Sequence, residues 1–227
     1  MTDLDVVIPT LNAAASLERT IASLRDNCRQ LRLCIIVCDG GSHDGTVSIA
    51  RRADATVVTA LASRGCQLAT GAAAGRADWL LFLHADTTLG AGWAEEIDSF
   101  MTKPANIDKA GFFRLRFDSP DPRARRIERL VSWRCKRFGL PYGDQGLVLA
   151  RAFYQRLGGF RSLPLMEDVD LVRRVGRHSL VALKADAITS PRRYEKDGWF
   201  ARPIRNLSCL ALYFVGMPPT LLQRLYR

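Results

Sequence analysis

Apolar positions in the first half of the chain fall into short runs that alternate with stretches of helical spacing. Residues 4–8 form an apolar run ended by Pro9, which predicts a strand. Leu17, Ile21 and Leu24 recur at helical spacing and predict a helix over 13–25. Residues 31–38 are rich in β-branched side chains and predict a second strand. A turn follows at 38–42, with Ser42 or Asp44 placed to cap a helix running through Arg52. Residues 55–59 predict a third strand, 63–74 an Ala-rich helix, and 79–83 a fourth strand that is apolar at every position. Strands alternating with helices at this spacing predict right-handed βαβ units, an α/β fold and a mostly parallel sheet.

The second half is less regular. Residues 110–117 alternate as a strand does, 121–138 predict a basic helix, and 145–150 a short strand. Residues 166–176 predict a helix whose first turn is acidic, as its dipole favours, and 180–184 a further strand. No repeat and no long linker divides the chain. We therefore expect one domain over 1–205, with a binding half at 1–90 and a second half at 110–200. An apolar helix or tail follows at 206–227.

A length of 227 residues with 48% hydrophobic and 25% charged side chains fits one folded domain. No apolar run is long enough to span a bilayer. The acidic start, Met1-Thr2-Asp3-Leu4-Asp5, is unlike a secretory signal, so a cytoplasmic protein is expected. The six cysteines show neither a C-x-x-C pair nor zinc-ligand spacing and read as buried free thiols.

Charge changes the picture more. Residues 1–110 carry 10 Lys and Arg against 13 Asp and Glu, whereas residues 111–227 carry 23 against 10. The basic excess therefore lies wholly in the second half, and suits phosphorylated substrates, anionic lipid or nucleic acid. Seven Lys and Arg between Arg123 and Arg137 interleave with Ile127, Leu130, Val131 and Trp133. Together with the apolar tail this pattern suits peripheral membrane contact or a homodimer interface. No nucleic-acid-binding module is present, and no nucleic-acid partner is expected.

Parallel sheets bind ligands beyond the carboxyl ends of their strands, so the polar residues after each strand are the candidates. The first strand is followed by Pro9-Thr10-Leu11-Asn12 in place of a glycine-rich dinucleotide or P-loop motif. A bound nucleotide would then be held by side chains and a metal. The same segment lacks the glycine-rich activation loop of a sugar-phosphate nucleotidyltransferase. Asp39, followed by Gly40-Gly41, is suited to accept from a ribose hydroxyl or a base N–H, or to shape an ordinary turn. In His84-Ala85-Asp86, Asp86 offers hard carboxylate oxygen to a divalent cation. Glu167, Asp168 and Asp170 put three acids into four positions, more than capping needs, and one could act as a general base. Asp144 and Gln145 in Gly143-Asp144-Gln145 could bond sugar hydroxyls. Arg192 and Arg193 could pair with a diphosphate.

In combination these segments are more specific. Val6-Val7-Ile8-Pro9-Thr10-Leu11-Asn12, then residues 37–46, then Trp79-Leu80-Leu81-Phe82-Leu83-His84-Ala85-Asp86-Thr87, then Met166-Glu167-Asp168-Val169-Asp170 resemble the family 2 glycosyltransferases with the GT-A fold. Residues 63–75 and Tyr142-Gly143-Asp144-Gln145-Gly146 are similar to a bacterial subgroup, the radical-SAM/selenodomain-associated glycosyltransferases. The resemblance implies a Rossmann-like sheet and inverting transfer of a sugar from a UDP- or GDP-sugar to a hydroxyl acceptor, lipid-linked in some cases. It implies Pro9 and Asn12 in the nucleotide pocket, Asp39 at the base or ribose, and Arg64 at the nucleotide or its phosphates. It also implies Asp86 as ligand to Mg²⁺ or Mn²⁺, Asp168 as catalytic base, and Glu167 in support of acceptor binding. The family's D-x-D motif has His84 in its first position here, which leaves His84 open to a ribose or phosphate bond, metal ligation or packing.

Overall fold

The computed structural model describes residues 2–226 apart from 27 and 29, so the first and last residues of the expected domain and tail lie outside it. Eight strands form one sheet in the order β3-β2-β1-β4-β7-β6-β8-β5. The first half matches the predicted alternation. It runs β1 (Thr2–Thr10), α1 (Ala14–Arg25), β2 (Leu31–Asp39), α2 (Thr46–Arg52), β3 (Thr56–Thr59), α3 (Arg64–Ala74) and β4 (Trp79–Phe82). β1 pairs in parallel with β2 on one side and β4 on the other, and β2 in parallel with β3. β1 is thereby covered on both edges, and its residues 4–10 are all buried.

Asp44 anchors the start of α2. Its Oδ1 accepts the Thr46 N–H at 3.0 Å, and its Oδ2 the Ala14 N–H at 3.1 Å, so one carboxylate ties two helix starts together. α3 lies so close to β1 that a Cβ at Gly71 would meet a methyl of Val7 at 2.4 Å. This contact explains a glycine inside an otherwise Ala-rich helix.

Three elements of the next stretch lie beyond the predicted set: β5 (Thr87–Leu89), α4 (Trp93–Met101) and α6 (Arg151–Arg156). Between them run β6 (Ala110–Phe117), α5 (Pro122–Phe138) and β7 (Leu147–Ala150). β7 lies antiparallel between β4 and β6 and joins the two halves of the sheet. α5 begins where the sequence predicts, with the Asp121 carboxylate accepting the Arg123 N–H at 2.7 Å, Pro122 in the first turn, and Gly139 at φ +63° closing the helix. Glu128, buried on α5, accepts from Arg116 (2.9 Å) and the Phe117 N–H (2.8 Å), and fastens the basic helix to β6.

α7 (Glu167–Val175) is followed by β8 (Leu180–Thr189), α8 (Arg192–Asp197), α9 (Ala201–Phe214) and α10 (Pro219–Tyr226). β8 runs five residues beyond the expected 180–184 because it pairs with β6 as far as Phe117–Thr189 and with β5 at its far end. The C-terminal segment is helical from residue 201 rather than 206. Met166, Val169, Cys209, Leu210 and Leu222 make a second, smaller core that docks α9 and α10 on α7. Among the described residues no helix is long and apolar enough to cross a membrane.

The cysteines are free, but only Cys38, Cys135 and Cys209 are buried. Cys34 is exposed, contrary to the expectation for all six. It shares a sheet face with Cys38, which lies beneath Gly71 of α3, but sits beyond the end of that helix.

Candidate active site

Three neighbouring spaces share lining residues, and the first borders the loops that follow β1 and β4. The first is a cleft of about 390 Å³ whose walls include Pro9, Asn12, Arg64, His84, Asp86 and Arg193. The second is a smaller chamber of about 120 Å³ with Asp86, Asp144, Asp168, Tyr194, Asn206 and Tyr226 in its walls. Cleft and chamber share Arg64, His84, Asp86, Leu165, Glu167 and Arg193. The third is an apolar groove between α5 and α9, of about 890 Å³, that meets the chamber at Tyr142, Asp144, Tyr194 and Asn206.

Most of the residues singled out in the sequence converge here. Asn12 adopts a left-handed φ of +52°. Its Oδ1 accepts the His43 N–H at 3.0 Å, and its own N–H donates to Ser42 Oγ at 2.8 Å. The loop after β1 is thus locked to the loop after β2. Asp39 performs the same service from below. Its buried carboxylate accepts the Gly41 and Ser42 N–H groups (2.9 and 2.8 Å) and the hydroxyls of Thr10 (3.0 Å) and Ser42 (2.5 Å). These bonds hold its pKa below the usual carboxylate value against the opposing effect of burial. With four donors from the chain itself, Asp39 shapes the turn, and a nucleotide hydroxyl would have to displace one of them.

Arg64 opens α3, and its Nη1 lies 3.1 Å from Oε1 of Glu167 at the start of α7. Glu167 is only 1% exposed, and burial raises its pKa while Arg64 opposes the rise. Met166, just before it, is held at φ +65°, an uncommon conformation for any residue other than glycine. That backbone turn aims Glu167 and Asp168 at the cavity. Asp168 Oδ2 accepts the Gly143 N–H at 2.8 Å and Oδ1 the Val169 N–H at 2.7 Å.

His84 packs against the same glycine. A Cβ at Gly143 would lie 2.6 Å from His84 Nε2 and 3.4 Å from Asp168 Oδ2, so only glycine lets the three groups meet. Burial, with Arg64 and Arg193 nearby, holds the His84 pKa well below its ordinary value, which leaves the imidazole neutral. Asp144 is pushed the other way, up to about 6, by burial first and then by Asp168 and Asp86, against Arg134 and Arg64. Its Oδ1 is buried without a hydrogen-bond partner.

Three expected site residues line none of these spaces: Asp39, beneath its turn, Gln145 and Arg192. Gln145 is buried and does not line the cavity. Its Nε2 donates to the Phe113 carbonyl at 3.0 Å, where the β6–β8 register shifts, and its Oε1 accepts from the Tyr142 N–H at 3.3 Å. That bonding replaces the sugar contact expected of it. Arg192 is exposed on α8 and stays outside the cleft that Arg193 lines.

Tyr194, Asn206 and Tyr226 were absent from the sequence expectations. They reach the chamber from α8, α9 and α10, and no local motif marks them; only the docking of the C-terminal helices brings them in.

A metal ion is the remaining component. Among the described residues no three His, Cys, Asp or Glu side chains gather into a ready metal cluster. A single carboxylate facing an open cleft does fit a Mg²⁺-like ion that arrives with a diphosphate and keeps several waters. Asp86 occupies that position.

Comparison with known proteins agrees with this layout. The sequence profile of the family described as "Glycosyl transferase family 2" matches residues 5–163, which stops short of Glu167 and Asp168. The succinoglycan biosynthesis protein ExoA of Rhizobium meliloti (strain 1021) is 47% identical over 47 residues, a stretch spanning 21% of this chain and 14% of that protein. S. aureus TarS superposes with a TM-score of 0.62 at 14% identity, covering 93% of this chain and 40% of that one. Glucosyl-3-phosphoglycerate synthase from Mycobacterium tuberculosis, in complex with Mn²⁺ and UDP-glucose, superposes with a TM-score of 0.62 at 18% identity, covering 96% and 80%. Mannosyltransferase PcManGT from Pyrobaculum calidifontis, in complex with GDP-Man and Mn²⁺, gives 0.59 at 17% identity, covering 91% and 60%. These likenesses carry the fold, and the profile match over most of the chain carries the family: the protein belongs to glycosyl transferase family 2.

Proposed function

We propose that the protein is an inverting, metal-dependent glycosyltransferase that moves a sugar from a nucleotide-sugar donor to a hydroxyl acceptor. The observation that carries this reading is the convergence of His84 and Asp86 after β4, Arg64 on α3 and Glu167 on α7 on the wall shared by cleft and chamber, with Asp168 beside them in the chamber.

In this reading the nucleotide lies in the cleft beside Pro9 and Asn12, above the turn shaped by Asp39. Asp86 would hold the metal ion, which would supply positive charge beside the departing diphosphate. Arg193 faces the same space and adds positive charge there. Neutral His84 offers a hydrogen bond to a donor oxygen, and its neutrality avoids a charge conflict with the neighbouring arginines. Asp168, oriented by the Gly143 N–H, takes the acceptor's proton. The bond from the anomeric carbon to the β-phosphate oxygen breaks as the acceptor oxygen bonds to that carbon from the opposite face. The products are the inverted glycoside, the nucleoside diphosphate and one proton.

The likeness of residues 63–75 and 142–146 favours the radical-SAM/selenodomain-associated subgroup. The relatives bound to UDP-glucose or GDP-Man make UDP- and GDP-sugars the first donors to try. Exposed apolar side chains of α5 and α9, set among arginines, favour peripheral membrane contact.

The test is a thermal-shift panel of UDP-, GDP- and dTDP-sugars with and without Mn²⁺. Stabilisation by one donor, strengthened by Mn²⁺ and lost in Asp86→Ala, is the expected result. A panel without any response would rule out donor binding.

A further inference from the structure

The groove between α5 and α9 is the largest of the three neighbouring spaces, and the donor-side reading leaves it unused. It shares no lining residue with the cleft. It meets only the chamber, at Tyr142, Asp144, Tyr194 and Asn206. The chamber therefore borders two separate spaces, one lined by donor-binding candidates and one apolar.

The walls of the groove are unusual for a protein surface. Leu130, Trp133, Phe138, Leu207 and Phe214 line it and are each 46–62% exposed. Clustered exposed apolar side chains of this size mark a binding surface. Of the three arginines that line the groove, Arg177 donates to the Lys136 carbonyl at 3.2 Å. Arg134 lies over the Tyr142 ring at 3.4 Å and Arg173 over Phe214 at 4.9 Å, so both serve as wall. At the inner end the chemistry changes. Asp144 Oδ1 and Asn206 Oδ1 are buried and lack hydrogen-bond partners. Both oxygens accept, so the group that satisfies them must donate. A hydroxyl can donate its one hydrogen to either oxygen; a phosphate would meet the charge of Asp144 and Asp168.

We propose that the acceptor is an alcohol with a long apolar chain, its chain lying in the α5–α9 groove and its hydroxyl placed at the Asp144–Asn206 seam, next to Asp168. This assignment rests on the glycosyltransferase reading for its reaction, but not for its binding site. The cavity, about 890 Å³, is within the range of sites that hold sizeable ligands.

Binding can be followed without a donor. Ethanol, hexan-1-ol and decan-1-ol are titrated against the protein while the fluorescence of Trp133 is read, with Trp133→Phe as the blank. Affinity should rise steeply with chain length, up to about fourfold per buried methylene. From hexan-1-ol to decan-1-ol the gain should be on the order of a hundredfold. Ala211, exposed on α9 and facing the groove, gives the decisive variant. Ala211→Trp should fill the groove and remove the chain-length dependence, and Leu207→Asp at the rim should do so if the larger side chain disturbs folding.

Equal affinity across the series, or a dependence untouched by both variants, overturns the proposal. So does a dimer in light scattering that Ala211→Trp converts to monomer, which assigns the groove to a second copy. Donor-induced thermal stabilisation measured on the same variants should match the unaltered protein. Its absence throughout would remove the transferase reading while leaving chain-length-dependent binding intact, so the two failures are distinguishable.

Discussion

Arg64 and Glu167 stand 103 residues apart in sequence, yet Arg64 Nη1 lies 3.1 Å from Glu167 Oε1, in the wall common to cleft and chamber. The pair ties the first turn of α3 to the first turn of α7, so the donor-side and acceptor-side halves of the site are set by one contact.

Because Glu167 is almost fully buried and Arg64 is partly exposed, loss of the arginine leaves an uncompensated buried acid. Arg64→Met should lower the melting temperature by roughly 5 °C, equivalent to about 2 kcal/mol after allowance for solvent around the guanidinium. Adding Glu167→Gln should restore most of that loss. Calorimetry of the two single variants and the double variant decides it, and strictly additive losses would contradict the coupling.

Gly143 is confined by His84 on one side and Asp168 on the other. Gly143→Ala should leave the fold intact but push the imidazole or the turn aside, lowering sugar transfer by at least about tenfold, the scale of a misplacement at a reacting centre. Combining it with His84→Ala makes room for the new methyl group. The double variant should therefore lose less than the product of the two single losses. Steady-state rates for all three forms test this.

Removal of the proposed base has a sharper signature. Asp168→Asn keeps an oxygen able to accept the Gly143 N–H but cannot take a proton. Turnover should fall by roughly 10²–10⁴-fold while donor KM stays near its original value. A variant that retains turnover to within about tenfold would remove Asp168 from that role.

Asp144 makes stability depend on pH. Its folded pKa is raised from 3.8 to about 6, so the unfolded chain releases this proton first. Below 3.8 both states are neutral and the residue costs nothing. As pH rises through this window the folded state is penalised, and above it the full penalty remains. Asp144→Asn should therefore raise the melting temperature by roughly 3 °C at pH 8 and leave it nearly unchanged near pH 3.5. A gain of equal size at both pH values would assign it to packing instead. Asp86 and Asp168 face Asp144, as do Arg64 and Arg134, so added Mn²⁺ should reduce the difference by favouring the carboxylate.

The parallel half of the sheet was legible because β1, β2 and β4 carry buried apolar runs and helical stretches separate its strands. β5 has only three residues, too few for any periodicity to declare itself. β8 was read short because Lys184 and Asp186 break up its apolar run; in the fold both lie on the outward-facing side of the strand, where Asp186 pairs with Arg114 on the neighbouring strand. The site divides similarly. Pro9, Asn12, His84 and Asp86 stand at strand ends, where the topology of a parallel sheet points. Gln145 stands in a Gly-Asp-Gln-Gly turn that reads as exposed, whereas it is 2% exposed and bonded within the chain. Tyr194, Asn206 and Tyr226 could not be read at all, since their place depends on helices that pack only after the sheet is complete.

The strand order also has a consequence for how the chain is made. β1 to β4, lying within residues 2–82, occupy four adjacent places at one end of the sheet. They can pair as soon as they leave the ribosome, and the wait for residue 79 is the longest that β1 experiences. The outer edge of β4 then stays open through the synthesis of another 65 residues, until β7 at 147–150 closes it. Asp5, buried on β1, receives its partner Arg151 at the same moment. That interval is when the nascent protein is most prone to stick to its neighbours, and when a chaperone holding the β4 edge would be of most use.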